Sequence, residues 1–358
     1  MKISLYGPFP PNIGGVSIHV KNLASRLNIE GCLSYVYINN QNKYNNILPA
    51  YCIDISYSHM LGFLKDIKLF IHVFFKDKSD ILHIHGSLFW DYFIALGCIL
   101  FTKKKIVFTV HDQMQLSKGQ IQLLLYKLMY LFVRNKIIYI AVNQNIKSQL
   151  IDILKIREDK IFTIPAFIHV FDNKTPLNDE LKNILVGNKF KILSYVPSLN
   201  HESNYQVYGI DFLFEVLQKL IDIEKDILLL LCVPTGIDQM ILKKYLKKYN
   251  VPMSSIYIFN KPVSNMGLLL KNIDVYVRTT ITDGDSVLVR EALAYKNIVL
   301  CSDVVPRPNG VILYKNKSIS DFISKIKYIK QYRKLIIDKL DTESDFYNKI
   351  LKVYDNEK

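Results

Sequence analysis

The feature that most constrains this 358-residue chain is a repeated rhythm of short, continuous apolar runs separated by helical stretches. The first set is Ile3 to Tyr6, Leu33 to Ile38, Ile81 to His85, Ile106 to Val110, Ile137 to Val142 and Ile161 to Ile164. The second is Phe190 to Val196, Ile227 to Val233, Ile256 to Phe259, Val275 to Thr279 and Ile298 to Cys301, with amphipathic stretches such as Ile210 to Ile221 and Val287 to Tyr295 between them. Strands that are apolar at every position are buried on both faces, so the sheets are expected to be parallel and covered by helices. Two successive sets of βαβ units predict an α/β protein of two Rossmann-like, doubly wound domains. The polar, turn-rich stretch Phe171 to Glu180 separates the sets. It places the boundary near Pro176, with domains 1–176 and 177–358. The last stretch, Ser318 to Tyr354, is charged and helical in period, and in such a chain can cross back to brace the first domain.

Composition narrows the class further. The N-terminus enters at once with Lys2-Ile3-Ser4-Leu5-Tyr6, a first strand rather than a secretory leader, and no run of eighteen apolar residues lacks a charge, so a cytoplasmic protein is expected. Cys32, Cys52, Cys98, Cys232 and Cys301 lie in apolar contexts without metal-ligand spacing, which predicts reduced, buried thiols and no zinc site. A formal charge of +14 calls for an anionic partner. Nucleic acid is disfavoured, because the lysines are spread along helices such as Ile241 to Lys248 and form none of the known recognition motifs. Two apolar, Lys-edged stretches, Leu61 to Lys76 and Ile121 to Lys136, suit either an anionic membrane surface or the core-facing side of ordinary helices.

In open parallel sheets, ligands bind beyond the carboxyl ends of the strands, so the loops there carry the candidates. The segment Val275 to Leu293 reads as a buried strand, an acidic turn containing Gly284 and Asp285, and a helix opening near Ser286 and Val287. The first N–H groups of a helix lack intrahelical partners and sit at the positive end of its dipole, so they can receive a diphosphate. Asp283 precedes that helix and Glu291 lies on its second turn, where a carboxylate can accept hydrogen bonds from sugar hydroxyls. Acidic residues at helix starts also stabilise the dipole without any ligand. After the first strand comes a Pro-punctuated loop ending in Gly14-Gly15, where backbone can approach a ligand closely. His85 and His111 stand at two strand ends, and Asn143 follows the next strand.

This order of parts resembles the GT-B glycosyltransferases, specifically the retaining enzymes of glycosyltransferase family 4 that build bacterial surface polysaccharides. The likeness covers nearly the whole chain: the Gly14-Gly15 loop, His85, His111, Asn143, and Asp283 to Glu291 in place of the family's E-x7-E motif, with Asp at its first position. It implies two Rossmann-like domains with an interdomain cleft, a nucleotide-sugar donor held mostly by the second domain, a saccharide or polyprenyl-linked saccharide acceptor held by the first, and no metal or cofactor. Catalysis would fall to His111, Asp283 and Glu291, and surface polysaccharide or O-antigen assembly at the inner membrane face is the implied setting. The sequence departs from the family where an Arg and a Lys-Gly pair are expected, which here are Pro197 and Tyr208-Gly209. Arg278 and Arg290 are the nearest candidates by sequence to replace them at the diphosphate, and Lys261 after Phe259-Asn260 is a third. That loss also leaves room for a catalytically silent nucleotide-binding subunit, and the architecture alone fits a sugar-nucleotide epimerase.

Overall fold

The computed structural model describes residues 1–10, 14–38, 49–54, 71–86, 89–111, 131, 136–168, 176–177, 179–263, 265–283, 286–340 and 346–355. The chain forms two compact units, one made of Met1–Val170 and Asp345–Lys358, the other of Phe171–Ser344. The division falls between Val170 and Phe171 rather than at Pro176, and the last residues, Asp345–Lys358, group with the first unit.

The first unit holds β1 (Ile3–Tyr6), β2 (Leu33–Ile38), β3 (Cys52–Asp54), β4 (Ile81–Gly86), β5 (Lys105–Val110), β6 (Ile137–Ala141) and β7 (Ile161–Thr163). They pair in the order β3-β2-β1-β4-β5-β6-β7, parallel throughout. The order reverses at β1, so the crevice between β1 and β4 is the switch point where such sheets take ligands. Ile84, Ile106, Phe108 and Tyr139 are among the fully apolar stretches buried in this sheet, with Tyr92 stacked on Phe108 at 4.7 Å.

The final helix, Tyr347–Asp355, belongs to this unit and presents Tyr347, Ile350, Val353 and Tyr354 inward. Those positions lie on one stripe of a 3.6-residue period, which is why a short charged segment still buries a face. Tyr347 donates to Glu30 at 2.8 Å and lies under Arg26 at 4.5 Å, while Lys105 donates to the last carbonyls at Val353 and Tyr354. A lysine there satisfies acceptors that the helix end leaves open.

The second unit holds β8 (Phe190–Tyr195), β9 (Ile227–Cys232), β10 (Ile256–Phe259), β11 (Val275–Arg278), β12 (Val299–Ser302) and β13 (Ile312–Tyr314), in the parallel order β10-β9-β8-β11-β12-β13. Its reversal lies between β8 and β11. The helix Ile210–Ile223 covers the sheet through Ile210, Leu213, Phe214, Leu217 and Leu220, an i, i+3, i+4, i+7 stripe. It starts at Gly209, whose φ is +64° and where a Cβ would sit 2.0 Å from the Thr279 carbonyl oxygen, so only glycine fits that approach. Thr279 Oγ1 donates to the Tyr208 carbonyl at 2.9 Å and Thr280 Oγ1 to that of Val207 at 3.0 Å. The chain leaving β11 is thereby tied down just before Asp283. The helix Ile319–Lys339 stays in this unit through Phe322, Ile326 and Ile329, so of the stretch expected to cross back, only the final helix does. Among the described residues, no helix is long and apolar enough to cross a membrane.

Candidate active site

The carboxyl end of β11 carries an ion cluster. Arg278 grips Asp283 as a fork, Nε to Oδ2 and Nη2 to Oδ1, both at 3.0 Å, and its Nη1 donates to the Tyr195 carbonyl at the end of β8. Arg307, in the loop after β12, donates to the same Asp283 Oδ2 at 2.7 Å. Side-chain exposures are 14% for Arg278, 9% for Asp283 and 3% for Arg307, so the three charges are removed from solvent together. Burial alone would raise the Asp283 carboxyl, but Arg278 and then Arg307 outweigh it and hold the group below the usual carboxylate range. Asp283 is thus an ionised strap between two guanidiniums, with Oδ1 engaged by Arg278 and Oδ2 shared by both.

Past the loop, the helix Val287–Ala294 begins at Ser286, which adopts an extended conformation and makes no side-chain cap bond. Gly284 and Asp285 lie outside the described residues. Glu291 sits half-buried on this helix, and burial pushes its carboxyl up to about 7. It can therefore exist both as an acid and as a carboxylate near neutral pH, which suits a group that receives hydroxyl hydrogen bonds. Arg290 is half-buried on the same helix. Lys261 is exposed after β10, three strands away from β11 in the sheet, or about 14 Å at the usual strand spacing, which separates it from the Asp283 cluster.

The first unit has a contrasting centre. His19, on the second turn of the helix Gly15–Ile29 after β1, joins His85 at the end of β4 and His111 just past β5. His85 Nδ1 and His111 Nε2 are 3.2 Å apart, and the His19 ring centroid lies 5.2 Å from His85 and 5.3 Å from His111. Beneath them His83 is held at both nitrogens, by Tyr354 Oη at 2.6 Å and Thr109 Oγ1 at 2.7 Å, with its ring 4.1 Å from that of His85. Burial lowers His19 to about 4 and, with the neighbouring imidazoles, drives His83, His85 and His111 well below the ordinary histidine value. All four are neutral at pH 7, each able to donate at one nitrogen and accept at the other.

One ring nitrogen from each of His19, His85 and His111 lies within 4.8 Å of the other two, and this is the set among the described residues with the donors for a transition metal. Nothing in the Cys and His spacing of the sequence points to it. His85 Nε2 is buried without a partner. Buried unpaired nitrogens are costly, and one at a strand-order switch point marks a place for a polar ligand group.

Gly14 and Gly15 open the helix that carries His19, but no described residue lies within 4 Å of where a Gly14 Cβ would stand, and its φ of 174° is open to any residue. Asn143 Oδ1 accepts from the Ile146 amide at 2.9 Å and so caps the helix Gln144–Asp152, a structural role that accounts for the residue without a ligand. Of the cysteines, Cys98, Cys232 and Cys301 are buried, Cys32 and Cys52 only partly, and all five are free. The sequence reading missed Arg307 and His19. No local pattern marks either one, since Arg307 lies 24 residues beyond Asp283 and His19 meets His85 and His111 only through the strand order.

Residues 13–170 match the family model described as Glycosyltransferase Family 4. Similar folds over the whole chain include a glycosyltransferase from Rickettsia africae ESF-5, at 18% identity and TM-score 0.71, covering 99% of this chain and 97% of that one. They also include Anabaena HepE in complex with UDP and glucose, at 11% identity and TM-score 0.73, covering 100% of both chains. A third is the sucrose-phosphate synthase of Thermosynechococcus elongatus, at 13% identity and TM-score 0.72, covering 99% and 98%. No curated protein matches the sequence. With its two doubly wound parallel sheets the chain has the GT-B fold of these structures, and its residues 13–170 match the model of Glycosyltransferase Family 4.

Proposed function

We propose that the protein transfers a sugar, with retention and without a metal, from a nucleotide-sugar donor to a saccharide acceptor, polyprenyl-linked, in surface polysaccharide or O-antigen assembly. The observation that carries this reading is the strand, turn and helix of Val275–Ala294, where Asp283 is strapped between two arginines and Glu291 waits half-buried on the next helix. The cluster offers positive charge to a departing diphosphate, the Glu291 carboxylate receives hydroxyls of the sugar or ribose, and first-turn N–H groups near Ser286 and Val287 add to anion stabilisation. In water-excluded sites such preorganised groups give the largest single contribution to transition-state stabilisation. His111, neutral and paired with His85, orients the transferred sugar by one hydrogen bond. The complex of Anabaena HepE with UDP and glucose supports a nucleotide sugar as the donor class.

A membrane-side acceptor is supported by the surface of the first unit. Phe75 and Phe101 are 81% and 74% exposed beside Lys76, Lys78 and Lys103, and Phe101 packs on Phe74 at 5.9 Å, so apolar rings and cations share one neighbourhood. That combination suits an anionic headgroup layer. Most of Leu61 to Lys76 and of Ile121 to Lys136 lies outside the described residues.

Turnover of a nucleotide-sugar panel with and without lipid-linked acceptor tests the proposal. Nucleotide release that requires acceptor, with product of unchanged anomeric configuration, supports it. Isomerised donor would make the protein an epimerase, and binding without turnover a silent subunit.

A further inference from the structure

We propose that Arg307, acting with Arg278, forms the anchor for the donor diphosphate, and that Asp283 serves to aim these two guanidiniums rather than to touch the sugar. This rests on the donor reading above. The first argument is charge. Two guanidiniums and one carboxylate, with side chains 14%, 3% and 9% exposed, leave a net charge of +1 where water scarcely reaches. An uncompensated buried charge is strongly unfavourable, so the cluster is built to receive an anion.

The second argument is the N–H inventory. Arg278 spends Nε and Nη2 on Asp283 and one N–H of Nη1 on the Tyr195 carbonyl. Arg307 gives Nη1 to Asp283 and a long Nε contact, 3.4 Å, to the Ser302 carbonyl, while its Nη2 is buried with no partner. A guanidinium held rigidly on one edge with a free amino group on the other is preorganised for a phosphoryl oxygen. Its place agrees: Tyr195, Arg278 and Arg307 sit at or after the carboxyl ends of β8, β11 and β12, around the reversal in strand order. Lys261, by contrast, stands three strands from β11.

Calorimetric binding of UDP, GDP, ADP, their parent nucleosides and inorganic pyrophosphate to wild type, Arg307→Gln, Arg307→Lys and Arg278→Lys tests the assignment. Arg307→Gln keeps the neutral Arg278–Asp283 pair, so it should fold, as circular dichroism and thermal melting will show. The expected result is at least a ten-fold loss of affinity for the diphosphate that binds wild type, unchanged affinity for its nucleoside, and incomplete rescue by lysine. A variant that folds and binds the nucleoside diphosphate as tightly as wild type overturns the role of Arg307 and leaves the donor reading standing. If no nucleoside diphosphate binds wild type, the donor reading fails. Pyrophosphate that binds wild type and is lost in Arg307→Gln would then still support the anion site, and no pyrophosphate binding would overturn it as well.

Discussion

The two units share one strand order and treat its switch point in opposite ways. In the first, His19, His85 and His111 gather as neutral imidazoles, with charge removed by mutual crowding and burial. In the second, Arg278, Asp283 and Arg307 are buried as full charges that stabilise one another. The same backbone crevice can therefore present hydrogen bonds of either polarity or a fixed positive field, depending on a few side chains at strand ends. Neutral groups suit the orientation of hydroxyls, and fixed cations suit a leaving group that accumulates negative charge.

The comparison breaks most visibly in stability. Asp283→Ala leaves two guanidiniums buried against each other, and urea unfolding should show a loss of about 3–5 kcal/mol, the range for a broken buried ion pair. His85→Ala removes a neutral partner and should cost less, about 1–3 kcal/mol. Equal losses would mean that the charged centre is wetter than its burial indicates.

Activity sharpens it next. Glu291→Gln should lower transfer by roughly ten- to a hundred-fold, the equivalent of losing one buried hydrogen-bond acceptor for the donor. Because burial raises Glu291 to about 7, wild-type donor affinity should climb as pH rises through that value and the carboxylate forms, and the Gln variant should lack this step. The sign for folding is the reverse: between the ordinary carboxyl pKa and about 7 the folded state keeps a proton that the unfolded state has lost, so stability without donor falls as pH rises across that window. His111→Ala should reduce turnover roughly ten-fold through misorientation while leaving nucleoside diphosphate affinity unchanged, and His85→Ala should reduce it less.

Acid separates the units from the other side. The depressed histidines contribute stability that is fully present above about 6.5, their unfolded value, and is lost as pH falls below it, since the unfolded state then binds the extra protons. A melting series should show this acid loss diminished in His19→Asn. The smallest expected effect is that of Tyr354→Phe, about 1 kcal/mol for one lost hydrogen bond to His83.

Much of the architecture was legible because buried parallel strands must be apolar throughout. β1, β2 and β10 carry the bounds expected for them, and the others of those runs shift by one residue at one or both ends. β3 and β13 were missed: each has three residues at a sheet edge, too short for a periodic signal and pairing on one side only. The site was legible where chemistry sits inside a contiguous motif, as with Asp283 and Glu291. It was opaque where the partner arrives from another strand end. Arg307 lies 24 residues beyond Asp283, and its loop Val304-Val305-Pro306-Arg307-Pro308 reads as an ordinary turn until β12 is placed beside β11. His19 is hidden for the same reason, since its ring finds His85 and His111 only once β1, β4 and β5 are side by side.

The return of the helix Tyr347–Asp355 to the first unit has a consequence for how the protein is made. During translation, β1 to β7 emerge first, yet His83 lacks its Tyr354 hydroxyl, and Glu30 its Tyr347, until all of Phe171–Ser344 has left the ribosome. The nascent first unit must wait with His83 Nδ1 lacking its partner, so its last packing step follows the synthesis of its neighbour, and a nonsense codon before Tyr347 would leave it permanently unfinished.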